Sequence, residues 1–301
     1  MCFLKAEKEI IFMTPVFSII IPHKNTPELL ERCIESVPER EDLQIIVIDD
    51  NSDSEHVDFS VFPGLCKENV TVIFDKSSKG AGHARNIGLS VATGKWLLFA
   101  DADDYYTPEL ARMLDKYAGI DNVDTVYFNC KGEYGKTNRC LRYNRMIEDY
   151  LSGNQTAMEE IKYKMWVPWN KMFRKEMITR HNLLFEEIMS GNDAKFCLLA
   201  SYFSRFSVVE ADCCYICTEQ INSITTKNKT LEQRLEALPG MLRIVNFINY
   251  VGLSDKTYSR NIMSPKLLLS LYRSYGMIGI LKYLKVYFRE KSHNNLYPEL
   301  I

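Results

Sequence analysis

Five short runs recur between Phe17 and Phe128, each rich in β-branched or aromatic residues and free of charge. They are Phe17–Ile21, Gln44–Ile48, Val70–Phe74, Trp96–Ala100 and Thr125–Phe128. A continuous apolar run of this length is the signature of a strand covered on both faces. The segments between them carry helix signals. Thr26-Pro27-Glu28 offers a cap, a proline for the first turn and an acid for the positive end of the dipole, and Leu29, Leu30, Cys33, Ile34 and Val37 then share one helical face. Thr107-Pro108-Glu109 repeats that logic, with Leu110, Met113, Leu114 and Tyr117 inside and Gly119 as the stop. A third helix runs from Gly80 to about Thr93, closed by Gly94. Strand and helix in alternation predict an α/β sandwich, Rossmann-like, on a mostly parallel central sheet.

Beyond residue 140 the alternation loosens. Trp166, Trp169, Asn170 and Lys171 stand in a stretch with no clear period. Asn192-Asp193 opens a helix with Phe196, Cys197, Leu199, Ala200 and Phe203 on its apolar face, short strands follow near 206–209 and 214–217, and the chain reads as helical from about 227. The expected organisation is an N-terminal extension (1–14), a nucleotide-binding and catalytic domain (15–226, divided near 130) and a C-terminal helical region (227–301).

Net charge is −2 over 301 residues, which argues against a protein whose main task is to coat nucleic acid. Nine cysteines, one pair of them spaced C-x-x-C at Cys214 and Cys217, lack the second ligand pair of a structural zinc site and read as buried thiols in a reducing compartment. Glu7 and Glu9 interrupt the only apolar run before Met13, unlike a signal peptide, and no apolar stretch reaches the roughly 18 residues of a spanning helix. The expected location is cytoplasmic.

Three strands end in polar clusters: His23-Lys24-Asn25, Asp49-Asp50-Asn51 and Asp101-Ala102-Asp103-Asp104. In open α/β sheets ligands bind outside the carboxyl ends of the strands, so the three clusters should converge. The aspartates after Ala100 are hard oxygen donors suited to Mg²⁺ or Mn²⁺, which in turn holds a diphosphate. One carboxylate of Asp49-Asp50 is placed to accept from a base or ribose, or to close a turn. Gly80-Ala81-Gly82 lacks the third glycine of a dinucleotide fingerprint, because Arg85 stands there; a phosphate-facing helix start is the better reading. Asp193, at a helix start, is either a cap or an ionised general base.

Together these segments resemble glycosyltransferase family 2, the inverting group with the GT-A fold. The resemblance runs from about Phe17 to Thr226 and rests on SIIIPHKN (18–25), IVIDDNS (46–52), GHARN (82–86), WLLFADADD (96–104), WNKMF (169–173) and GND (191–193). It implies that Pro22, His23 and Asn25 border the base and ribose, and that Asp50 hydrogen-bonds the base, most often uracil. It implies that Arg85 approaches the diphosphate or holds the base-binding loop. Asp101 would contact the ribose or the metal shell, Asp103 would ligate Mn²⁺ or Mg²⁺, and Asp193 would be the general base. Two positions depart from the family pattern: Lys24 replaces an aromatic residue, and Asn192 replaces the first acid of an acidic pair.

The implied donor is a nucleotide sugar, UDP-linked in most of the family, and the implied acceptor a glycan or lipid-linked hydroxyl in cell-surface polysaccharide synthesis. Trp169, Asn170 and Glu187 are the acceptor-side candidates, although a tryptophan here is equally suited to the core. Two apolar helices studded with Lys and Arg (266–273 and 278–289) suit either the surface of an anionic membrane or packing on the domain or a second subunit. Competing readings are a sugar nucleotidyltransferase, whose glycine-rich basic loop after the first strand is missing here, and a non-catalytic nucleotide-sugar binding or scaffolding protein.

Overall fold

A computed structural model describes residues 14–133, 138–188, 191–218, 230–252 and 262–292. In chain order the strands are β1 (Phe17–His23), β2 (Leu43–Asp50), β3 (Val70–Asp75), β4 (Trp96–Phe99), β5 (Tyr105–Tyr106), β6 (Thr125–Gly132), β7 (Lys171–Arg174) and β8 (Ser207–Cys217). The helices are α1 (Pro27–Glu35), α2 (Ala81–Val91), α3 (Glu109–Tyr117), α4 (Asn138–Leu151), α5 (Ala157–Lys164), α6 (Lys175–Arg180), α7 (Asn192–Phe203), α8 (Leu231–Tyr250) and α9 (Pro265–Ser292). All eight strands join one sheet in the order β3-β2-β1-β4-β7-β6-β8-β5. The first four neighbours run parallel. β7 is antiparallel to both β4 and β6, β8 is parallel to β6, and β5 closes the edge antiparallel to β8.

Strand alternation sends successive side chains to opposite faces. Ile19, Ile21, Ile45, Val47 and Leu98 meet α1, α3 and α4 on one face, whereas Ile20, Ile46, Ile48, Leu97 and Phe99 meet α2, α6 and α7 on the other. Ile244, Phe247 and Ile248 of α8 enter the second cluster, so the C-terminal helices are docked on the sheet's helical layer. The expected domain boundary near 226 and nearly all of the 1–14 extension lie outside the described residues.

Three expectations change. The stretch after 140 is ordered by α4, α5 and β7. The two short strands after 206 are one strand, β8, continuous through a register shift against β6. Thr26 makes no side-chain cap on α1, although Pro27 does occupy its first turn. Cys214 and Cys217 are buried thiols in β8, as expected.

The connection between α2 and β4 is tightly packed. A Cβ on Gly94 would lie 2.5 Å from the carbonyl carbon of Phe17 and 2.6 Å from the amide nitrogen of Ser18. Both obstacles are backbone, so neither can turn aside. Gly94→Ala is expected to lower the free energy of unfolding by about 1–3 kcal/mol in urea denaturation. Gly119→Ala, where a Cβ meets nothing within 4 Å, is expected to cost nothing or to stabilise slightly.

Candidate functional site

The carboxyl ends of β1 and β2 are stitched together before any ligand is considered. His23 is buried; its Nδ1 lies 2.8 Å from Asp49 Oδ1, and its Nε2 accepts from the Thr26 amide at 3.1 Å. The second contact makes Nε2 an acceptor and leaves Nδ1 as the donor to Asp49. Asp49 also accepts from the Ser52 amide at 2.9 Å and from the Ser52 hydroxyl. Burial opposes its charge, yet the His23 and Ser52 hydrogen bonds hold its carboxyl below the usual range. Asn25, at φ 59°, donates its amide to Ser52 Oγ and accepts from the Asp53 amide through Oδ1, both at 2.8 Å.

Asp50, one residue further, braces the segment that leads into α2. Both its carboxylate oxygens accept from the Gly80 amide at 3.1 Å, and Lys24 Nζ stands 3.4 Å from Oδ2. Lys24 also donates to Ser78 Oγ at 2.8 Å, so the residue that replaces an aromatic in the family pattern pins the same segment. Gly80 takes φ 88°, a conformation open to glycine. Gly82 is required for a different reason: a Cβ there would lie 2.1 Å from the Glu186 carbonyl oxygen. That close approach seats the 183–188 segment on α2, where His83 Nδ1 meets Glu187 Oε1 at 2.8 Å. The His83 contact holds the Glu187 carboxyl below its ordinary range.

The acidic turn follows β4. Asp104 is buried and turned back into the protein, accepting from the Thr218 amide at 2.7 Å. Thr218 Oγ1 and Arg32 Nη2 each donate to the Asp103 carbonyl at 2.7 Å, and the Asp101 amide donates to the Tyr215 hydroxyl at 2.9 Å. Burial, reinforced by Asp101, pushes the Asp103 carboxyl up to about 6, and burial with both neighbours raises Asp104 well above the usual range.

Arg85 joins this turn to α7. It is only 6 % exposed, donating from Nη2 to Asp101 Oδ1 at 2.5 Å and from Nη1 to Asn192 Oδ1 at 2.9 Å, with Phe185 packed beneath the guanidinium. Asp193 is the next residue, in the first turn of α7, and its charge acts on the buried Lys171. Burial lowers Lys171 to about 8, while its ammonium donates to the carbonyls of Met165 and Val167 and to Asn170 Oδ1 at 2.5–3.0 Å.

Several residues expected to face a ligand make internal contacts in this structure. His23 and Asp50 are committed to internal hydrogen bonds and organise the strand ends. Pro22 is buried within β1, beside Ile48. Arg85 is a buried bridge and presents no exposed guanidinium. Trp169 is 2 % exposed and stacked on Tyr215 at 4.9 Å, so it belongs to the core, and Asn170 is buried beside it. Of the acceptor-side candidates only Glu187 is solvent-accessible. Tyr215, Thr218 and Arg32 hold the acidic turn without having been singled out; a Thr after a strand and an Arg on a helix carry no local signal of such a task.

Asp101 and Asp103 suit a divalent cation. Both offer hard carboxylate oxygens, Asp104 is occupied elsewhere, and Mg²⁺ or Mn²⁺ is commonly held by one or two carboxylates with phosphate oxygens completing the shell. Among the described residues no group of three or more His, Cys, Asp or Glu that could by itself hold a metal ion is found.

The acids also tax stability. Because the Asp103 carboxyl rises from 3.8 to about 6 on folding, the unfolded chain gives up this proton at lower pH, and stability falls as pH rises between those values. Asp103→Asn is therefore expected to stabilise the metal-free protein by on the order of 1–3 kcal/mol above pH 6. The gain should fade toward pH 4, where the wild-type side chain is itself protonated. Thermal unfolding of both proteins across this range measures it; an equal or lower midpoint for the variant at pH 7.5 would refute the repulsion.

The model for glycosyl transferase family 2 matches residues 18–181, more than half of the chain. The chain is 28% identical over 229 residues to the uncharacterized glycosyltransferase EpsJ of Bacillus subtilis, covering 71% of this chain and 64% of that protein. It is 27% identical over 204 residues to the putative glycosyltransferase EpsH of the same organism, covering 64% and 57%. It thus spans somewhat under two thirds of these curated relatives. Among solved structures, S. aureus TarS in complex with UDP-GlcNAc superposes with a TM-score of 0.63 at 18% identity, over 90% of this chain and 81% of that one. The mannosyltransferase PcManGT of Pyrobaculum calidifontis, in complex with GDP-Man and Mn²⁺, gives 0.51 at 15% identity, over 96% and 78%. These two likenesses establish a shared GT-A-like fold, and with the match along the sequence itself, the chain belongs to glycosyl transferase family 2.

Proposed function

We propose that this chain transfers a sugar from a nucleoside diphosphate sugar, UDP-linked, to a hydroxyl of a glycan or lipid-linked acceptor in the assembly of a cell-surface polysaccharide, with inversion at the anomeric carbon. The observation that carries the reading is the Arg85 bridge. It brings the acidic turn after β4, suited to a diphosphate and its cation, together with the first turn of α7, which carries Asp193. The nucleotide sugars named with TarS and PcManGT support the donor class.

In this reading Asp193 takes the proton of the acceptor hydroxyl, assisted by the positive end of the α7 dipole, which favours the carboxylate. The acceptor oxygen bonds to the anomeric carbon from the face opposite the diphosphate as the bond to the leaving oxygen breaks, so an α-linked donor yields a β-linked product. Asp103, with Asp101, would hold Mn²⁺ or Mg²⁺, and the chemistry that such an ion would supply is neutralisation of charge on the diphosphate. Asn25 and the backbone exposed at the ends of β1 and β2 border the nucleoside, with Asp50 shaping that wall by fixing Gly80. Glu187 flanks the acceptor side.

Nucleotide release with Mn²⁺ across a panel of UDP- and GDP-sugars tests the proposal. One donor should be turned over, and a chelator should abolish the activity. Asp193→Asn and Asp103→Ala should each lower kcat by at least about 100-fold, with Asp193→Asn keeping the thermal shift produced by UDP. Stabilisation by UDP without turnover of any donor would assign a binding role instead, and near-wild-type turnover in either variant would remove the role given to that residue.

A further inference from the structure

The outward surface of α9 does not look like a face made for water. The helix carries six basic side chains (Lys266, Arg273, Lys282, Lys285, Arg289 and Lys291) against one acid, Glu290, in a chain whose net charge is −2. Gly276, at φ 66° and ψ −167°, divides it into two arms. On the inward side Leu271, Tyr283 and their neighbours pack on Leu238 and Leu242 of α8, so the core-facing stripe is already satisfied. A surface helix normally places polar residues opposite such a stripe. Here the opposite side of the second arm exposes Met277 (57%), Ile278 (68%), Leu281 (60%) and Phe288 (59%). Lys282, Lys285 and Arg289 are exposed on the same side, at the spacing of successive helical turns.

We propose that this face of α9 seats the protein on an anionic phospholipid bilayer. The four apolar side chains enter the boundary between headgroups and acyl chains, while the basic side chains reach sideways to the phosphates. No helix among the described residues is long and apolar enough to cross a membrane, so the contact is interfacial. Charge decides between occupants: a second copy meeting this face with its own would set the same cations against one another. An anionic surface complements them. α8, beneath α9, is fastened by an Arg243–Glu186 ion pair to the segment that carries Glu187. Docking α9 therefore fixes the orientation of the candidate site relative to the membrane plane. Seating through this face depends on exposed apolar side chains and charge and not on the transfer reaction.

Co-sedimentation of the full chain with phosphatidylcholine vesicles, with and without phosphatidylglycerol, tests it. Binding should require phosphatidylglycerol and be lost at high salt. Each basic side chain at an anionic surface contributes about fivefold, so Lys282→Gln, Lys285→Gln and Arg289→Gln together should lower the partition coefficient by about 100-fold. Ile278→Asp with Leu281→Asp should lower it at least tenfold, roughly the loss of one buried aliphatic side chain. Both variants should retain the unfolding midpoint and the thermal shift with UDP, which separates this test from that of the donor site. Absence of binding at low salt, or equal binding to neutral vesicles, would overturn the proposal. So would a homo-oligomer in sedimentation velocity that Ile278→Asp with Leu281→Asp dissolves while leaving vesicle binding intact.

Discussion

The buried guanidinium of Arg85 is the contact on which the site depends. It spans from α2 to the acidic turn after β4, 16 residues on, and to the first residue of α7, 107 residues on. Burying such a group is costly unless charged and polar partners satisfy it, and removing one partner leaves an uncompensated charge in a low-dielectric interior. The arrangement therefore tolerates little movement of Asp101 relative to α7. The 183–188 segment, seated on Gly82, and α8, tied to that segment through Glu186, extend the same restraint outward.

Around that fixed point the residues divide into those that organise and those that remain available. His23, Asp49, Asn25 and Ser52 close the ends of β1 and β2 into a hydrogen-bonded cap, and Asp50 with Lys24 holds the Gly80 segment. These are the polar residues nearest the strand ends, yet their side chains are occupied by one another. The acidic turn is the opposite case. Tyr215, Thr218 and Arg32 hold its backbone, while Asp101 and Asp103 are held close together and partly desolvated. Burial, with the Asp101 charge beside it, raises the Asp103 carboxyl, so the turn gives up stability at neutral pH.

Much of the fold was legible. The runs at 17–21, 44–48, 70–74 and 96–100 needed only their lack of charge to be recognised as parallel strands, although β3, at the sheet edge, is half-exposed where the others are buried, and Pro27 marked the first turn of α1. The region from 138 to 174 was not legible, because α4 is rich in charged and amide side chains, α5 is short, and β7 is a four-residue strand bordered by antiparallel partners from distant sequence. Asp101, Asp103, Arg85 and Asp193 could be singled out because a strand end and a helix start are local features. The inward turn of His23 and Asp50, and the burial of Trp169 against Tyr215, are contacts between residues 26 to 46 positions apart or more, invisible to any local pattern.

The sequence by itself determined the alternation of strands and helices, the strand-end placement of the acidic turn and the unusual charge of the C-terminal helix, because hydrophobic period and turn chemistry act over a few neighbouring residues. Only the tertiary structure decided which polar side chains face a ligand and which brace the backbone. That choice depends on which partner each carboxylate or imidazole meets across the sheet. It also depends on the desolvation each one suffers when the layers close, and neither quantity exists until the chain has folded.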